Sequence, residues 1–153
     1  MKNQANRSRI LVIHGPNLNM LGKREPETYG HTTLDEIDAE LKTRGETLGL
    51  TVETFQSNHE GEIIDRIQQA VGVCAGLIIN PAAYTHTSIA IRDALLLLEV
   101  PIIEIHISDI YQRESFRHTS MIADIAAVQI KGQGVQGYYI ALEKIAEMIS
   151  EKE

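Results

Sequence analysis

Sulfur chemistry is scarce in this chain. Its 153 residues include one cysteine, Cys74, so no internal disulfide can form, and the neighbours Val73 and Ala75 point to a buried, unreactive thiol. That usage fits a reducing compartment, and a cytoplasmic location is expected. Long apolar runs are missing as well. The longest weakly polar stretch, residues 71–79, falls far short of the ~18 residues needed to span a bilayer, and residues 1–9 are polar, without the apolar segment of a secretory leader. Neither membrane insertion nor secretion is expected. Basic residues are in deficit, with 14 Lys and Arg against 21 Asp and Glu, for a formal net charge of −7. A surface of that sign repels phosphate backbones, which argues against nucleic acid as a partner. No repeat, low-complexity tract or Pro/Ser-rich linker offers a domain boundary.

What is present is ordinary globular composition, 43% hydrophobic and 23% charged. A chain of this length buries roughly 68–70% of its unfolded surface and needs no structural metal to fold. The expectation is one domain over residues 1–153, with a core at about 9–150 and residues 1–8 as a flexible tail. Residues 10–13, Ile-Leu-Val-Ile, are continuously apolar and β-branched, as in a parallel strand covered on both faces. Thr33 and Glu36 make a capping box ahead of Leu34, Ile37, Leu41 and Leu48, and Gly49 supplies the stop. Further strands are predicted at 52–55, 77–79, 102–105 and 128–130. Helices are predicted around Ile63, Ile64, Ile67, Ala70 and Val71, over 88–99, and from Tyr139 through Leu142, Ile145 and Ile149. The pattern reads as β-α repeated five times.

This alternation implies an α/β fold: a three-layer sandwich around a five-stranded parallel sheet in flavodoxin-like order 2-1-3-4-5. Ligands of such sheets bind beyond the strand C-termini, at the switch point flanked by strands one and three. The polar, motif-like segments follow those ends, after strands one, three and four. Residues 15–32 exceed a routine βα loop and are expected to act as a lid.

Four constellations stand out. In GPNLNMLGKREPETYG, Asn17 occupies the position where a phosphate-binding P-loop needs glycine, and Arg24 replaces its metal-binding hydroxyl. What remains is Arg24 near Tyr29. A phenol with an ordinary pKa near 10 is only about one part in a thousand ionised at pH 7, and an adjacent guanidinium stabilises the ionised form. The alternative is a solvated arginine beside a packed tyrosine. In NPAAYTHTS, Asn80 and His86 suit polyol or carboxylate binding, while helix capping by Thr87 or Ser88 with a surface histidine accounts for the same residues. Tyr84 reads as packing or rim. In EIHIS, Glu104 and His106 share one side of their strand at period two, so the carboxylate can orient the imidazole as a general acid. A zinc site is disfavoured, with no cysteine nearby, and a satisfied core histidine is the plainer alternative. Arg113 and Arg117, four apart, could share one helical face after the fourth strand, with Arg117 placed to meet a substrate anion, and exposed arginines are the plainer alternative. Gly132, Gly134 and Gly137 satisfy G-x-G-x-x-G, but too little chain follows to supply a second strand with a ribose-binding acid, so they read as a glycine turn.

Taken in order, GPNLNMLGKREPETYG, FQSNHEGEIID, INPAAYTHTSIAIRDAL, EIHIS, RESFRHTS and GVQGYYIALE resemble type II 3-dehydroquinate dehydratase over about residues 10–145. The resemblance implies a flavodoxin-like subunit, no cofactor and no metal, and a homo-oligomer, a dodecamer built as a tetramer of trimers. It implies an anti elimination of water from 3-dehydroquinate through an enolate, in aromatic amino acid biosynthesis by the shikimate pathway or in quinate breakdown. Tyr29 matches the base, Arg24 the residue favouring its phenolate, and Asn17 the side chain holding a water at the enolate oxygen. His106, oriented by Glu104, matches the acid. Asn80, His86, Ile107, Ser108 and Arg117 match substrate-binding positions, Arg113 a second lid arginine, and Asp93 a residue reaching a neighbouring subunit's site. Asp109 and Gln133 depart from the pattern, which more often has Asn and Phe there, and Asp109 is expected to add charge beside the carboxylate site. Two other readings are kept. A Schiff-base lyase would need a buried lysine, and Lys23 is the only one in the long loop. A flavin- or nucleotide-binding module would rely on the glycine turn.

Overall fold

The computed structural model describes residues 6–23, 27 and 30–152. Its elements run β1 (Arg9–His14), α1 (Leu34–Thr47), β2 (Thr51–Gln56), α2 (Glu60–Ala70), β3 (Gly76–Asn80), α3 (Ile89–Leu95), β4 (Ile102–Ile105), β5 (Val128–Ile130) and α4 (Gln136–Glu151). The strands form one parallel sheet in the order β2-β1-β3-β4-β5. Within the span expected as a tail, Asn6–Ser8 form a 3-10 turn that leads directly into β1.

The apolar run of β1 serves two cores. Ile10 and Val12 join Leu34, Ile37 and Leu41 of α1 and Tyr138, Leu142 and Ile145 of α4 on one face. Leu11 and Ile13 join Ile63 and Ile67 of α2 and Ile91 and Leu95 of α3 on the other, with Cys74 buried among them. Alternate side chains of a strand point to opposite faces, so a run apolar at every position requires helices on both sides. That requirement makes the three layers.

Local signals set the helix ends. The Thr33 hydroxyl accepts the Glu36 amide at 3.2 Å, and the Ser88 hydroxyl accepts that of Ile91 at 2.9 Å, each satisfying an orphan donor of the first turn. Gly137 of the glycine motif serves packing: a Cβ there would stand 2.6 Å from Ile105 Cδ1, so its absence lets α4 approach the sheet. Gly132 and Gly134 adopt φ of +73° and +61° in the preceding turn, which glycine does without steric cost.

Three expectations are corrected. The helix predicted over 88–99 ends at Leu95. The chain then tightens into i→i+3 bonds, Leu97 to Ala94 and Leu98 to Leu95, because it must turn into Pro101 and β4, and a residue before proline is pushed out of helical geometry. Leu96 and Leu97 are consequently exposed beyond the helix. The link between β4 and β5 contains two 3-10 turns, Ile110–Gln112 and Ser115–Arg117, in place of a fifth α-helix. Arg113 between them is extended (φ −105°, ψ −164°), so Arg113 and Arg117 share no helical face.

Candidate active site

The loops after β1, β3 and β4 meet over the β1/β3 switch point around a cavity of about 130 Å³. Asn17, Asn80, His86, His106, Ile107 and Ser108 all line it, and so do Arg113 and Arg117, brought together by the turns rather than by a helix. A wider groove of about 680 Å³ lies beside Ser8 and Leu50, before the starts of β1 and β2. Its polar lining is Arg7, serine and glutamates without an imidazole, so the smaller cavity has the richer acid–base chemistry. Arg24 and Tyr29, expected as the base and its activator, lie outside the described residues. Asp93 is exposed on α3, away from the cavity of its own chain.

His106 continues β4, its amide donating to the Ile130 carbonyl at 2.9 Å. Period two then places its ring over Glu104, with Nε2 at 2.5 Å from Oε2. The same oxygen accepts the Ser120 hydroxyl at 2.7 Å. Oε1 has no partner among the described residues, so the carboxylate directs its hydrogen bonding through the oxygen that faces His106. Glu104 is fully buried and His106 nearly so. With Nε2 turned to the carboxylate, Nδ1 is the nitrogen left for a ligand, and the acceptor behind it holds the ring in one orientation.

His86 follows different logic. Its Nδ1 lies 2.9 Å from the Thr119 carbonyl, which can only accept, so Nδ1 carries the proton. Burial pushes its pKa below the ordinary value against the pull of that carbonyl, and the charges of His106 and Arg117 act in the same direction as burial. The ring is neutral at pH 7, with Nε2 as an acceptor.

Two backbone positions hold unusual conformations. Asn17 has φ 70°, a left-handed state asparagine tolerates, and its amide donates to Asn58 Oδ1 at 2.9 Å. Gln56 donates to the Gly15 carbonyl at 3.2 Å, so β2 also braces this loop. Ala82 has φ 53°, strained for a residue with a Cβ. Its amide donates to Asn80 Oδ1 at 3.1 Å, which anchors the strain at the site.

Asp109 follows Ser108 but does not itself line the cavity. Its Oδ1 accepts the Tyr111 amide at 3.0 Å and Oδ2 is 3.7 Å from Lys131, because the carboxylate caps the 3-10 turn that begins there. The glycine turn is engaged internally: the Gly134 amide donates to the Ile107 carbonyl at 3.0 Å instead of facing a phosphate. Tyr84 reaches the Asn58 carbonyl with its hydroxyl at 2.8 Å. Sequence reasoning missed Ser120, Asn58 and a group in which buried His14 and Tyr138 meet partly exposed Asp38; only His14, a polar residue closing an apolar strand, carried a visible signal.

Residues 8–146 match the family described as dehydroquinase class II. The chain is 56% identical over 144 residues to catabolic 3-dehydroquinase 1 of Aspergillus terreus, covering 94% of this chain and 95% of that one. It is 58% identical over 135 residues to 3-dehydroquinate dehydratase of Roseiflexus castenholzii, covering 88% and 86%. Among solved structures, type II dehydroquinase from Propionibacterium acnes superposes with a TM-score of 0.88 at 46% identity, over 92% of this chain and 97% of that one. With the sheet order and the loop motifs in agreement, this chain belongs to the class II dehydroquinase family.

Proposed function

We propose that this chain is a 3-dehydroquinate dehydratase, a hydro-lyase that removes water from 3-dehydroquinate by anti elimination and releases 3-dehydroshikimate. The observation that carries the reading is the buried His106–Glu104 pair at 2.5 Å, beside a cavity shared by Asn17, Asn80, His86, Arg113 and Arg117.

The Tyr29 phenolate, favoured by Arg24, takes the proton alpha to the ketone, and the electron pair of that C–H bond moves into an enolate. Asn17 holds a water at the enolate oxygen, where charge develops. As the enolate collapses, the new C=C bond forms and the C1 hydroxyl departs with a proton from His106, leaving as water. Glu104 orients His106 for that transfer. The backbone at Ile107 and the Ser108 hydroxyl meet the substrate carboxylate, Arg117 adds charge to it, and Asn80 and His86 take substrate hydroxyls, with Arg113 as a second lid arginine. Proton transfer and hydrogen bonding carry every step, so the reading calls for no cofactor or metal.

The same reading extends to a single domain, a cytoplasmic location, and a dodecamer of four trimers in which Asp93 reaches a neighbour's cavity. It covers both settings of the reaction, aromatic amino acid biosynthesis and quinate breakdown. Chelator-treated protein mixed with 3-dehydroquinate should generate the ultraviolet absorbance of a conjugated enone. Silence from freshly assembled protein would rule out the activity, and activity lost to the chelator but restored by zinc or magnesium would rule out the cofactor-free mechanism.

A further inference from the structure

Behind the cavity, four side chains from four elements close a polar network that runs from buried His14, Tyr138 and Asn80 to partly exposed Asp38. The register of β1 against β3 sets His14 beside Asn80. His14, fully buried, has Nε2 at 2.8 Å from Asp38 Oδ1 on α1 and Nδ1 at 3.1 Å from the Tyr138 hydroxyl on α4. The same hydroxyl lies 3.2 Å from Asn80 Nδ2.

Donor and acceptor rules orient the whole set. A carboxylate only accepts, so His14 Nε2 carries a proton, and the buried phenol hydrogen of Tyr138 needs an acceptor, which the Nδ1 lone pair supplies. The Tyr138 hydroxyl therefore donates to Nδ1. Burial raises the pKa of that phenol well above its ordinary range, which keeps the donor proton in place. Having donated, the hydroxyl accepts, and the atom of Asn80 facing it must be the NH2 group. The other end of the amide gives an independent check: the Ala82 amide is a donor and faces Asn80 Oδ1 at 3.1 Å. Both constraints select one orientation, and they leave Asn80, which lines the cavity, a single N–H not committed to either partner.

We infer that His14 and Tyr138 are positioning residues which, anchored at Asp38, lock the Asn80 side chain so that its remaining N–H is presented to a substrate oxygen. The inference deepens the dehydratase reading and rests on it for the identity of that oxygen's owner. The cost of turning the amide over is a Tyr138 hydroxyl facing a carbonyl while its proton is committed to His14, and an Ala82 amide facing an NH2 group. Two buried donor–acceptor mismatches of this kind favour the observed state strongly.

Tyr138→Phe keeps the buried ring and deletes only the hydroxyl. Because Asn80 would hold substrate in the ground state and the transition state alike, KM for 3-dehydroquinate should rise about tenfold with kcat within about twofold. A merely structural role would lower thermal stability and active fraction and leave KM alone. His14→Leu should repeat the KM effect. His14→Asn restores a carbonyl oxygen near the position of Nδ1 and should bring KM back to within about threefold of the native value. A measurement independent of turnover uses protein with 15N-labelled asparagine: the Asn80 side-chain amide pair should shift and exchange faster with solvent in Tyr138→Phe. An unmoved Asn80 signal, or an unchanged KM in active Tyr138→Phe, overturns the inference. Failure of the native protein to dehydrate 3-dehydroquinate would overturn the functional reading, while the amide signal still decides the network.

Discussion

His106 and His86 show how one residue type receives opposite tasks from its neighbours. His106 has a buried carboxylate behind Nε2, the arrangement that supports a proton donor. His86 has a carbonyl behind Nδ1 and surroundings that keep it neutral. Its folded pKa lies below the unfolded value, so the unfolded chain binds the proton more readily. The stability His86 contributes is therefore complete above the ordinary value of 6.5 and declines as pH falls from there through the folded pKa. An imidazole NMR titration should give a midpoint under 6.5; one above it would refute the neutral acceptor. His106→Ala should cripple loss of the hydroxyl, so exchange of the substrate's alpha proton with solvent should outlast net dehydration. Equal loss of both would point to another acid. Tyr29→Phe should lower kcat by about 10²–10⁴ with KM largely kept, since the phenolate acts on the transition state. Retention of more than about a tenth of native kcat would remove Tyr29 as the base.

At the scale of elements, the site is the crossing of the loops that leave β1 and β3. Gly15 makes the crossing: its amide donates to the Asn80 carbonyl at 2.8 Å, and a Cβ there would stand 2.5 Å from the Pro81 carbonyl carbon. The obstacle is backbone and cannot rotate away. Gly15→Ala should destabilise the fold by about 1–3 kcal/mol, the usual range for overpacking, and raise KM, because Asn17 and Asn80 lie on the two loops forced apart. Urea denaturation alongside steady-state kinetics measures both, and native values for both would show that the loops part without cost. The brace from β2, through Gln56 and Asn58, makes a third strand responsible for the conformation of Asn17.

The molecule as a whole carries net negative charge yet brings Arg113 and Arg117 to one cavity, a local field suited to an anionic substrate. Its other conspicuous surface is α3 and the turn after it, where Ile89, Leu96 and Leu97 are each more than half exposed. Apolar exposure of that kind near Asp93 suits a subunit contact. Light scattering should give an assembly far above 17.0 kDa, and Asp93→Ala should weaken assembly and substrate binding together. A fully active monomer at assay concentration would dispose of both the contact and the role of Asp93.

Layering, strand order, the helix cap at Thr33 and a second cap at Thr87 or Ser88 were legible in the chain because each depends on contiguous residues: an apolar run, a period, a hydroxyl three residues before an amide. Asn80, His86 and the Glu104–His106 pair were legible for a related reason, since a parallel sheet delivers all its strand C-termini to one edge. Other features depend on partners distant in sequence. The His14–Tyr138 contact spans 124 positions and exists only because β1 lies beside β3 with α4 packed across them. The end of α3 at Leu95 was decided by the geometry of reaching β4, the turn of Asp109 toward Tyr111 and Lys131 by its place at the start of a 3-10 turn, and the meeting of Arg113 with Arg117 by two turns that no helical period describes. Short-range preferences are written residue by residue, whereas the orientation of a buried polar group is the joint solution of every donor and acceptor that packing brings around it.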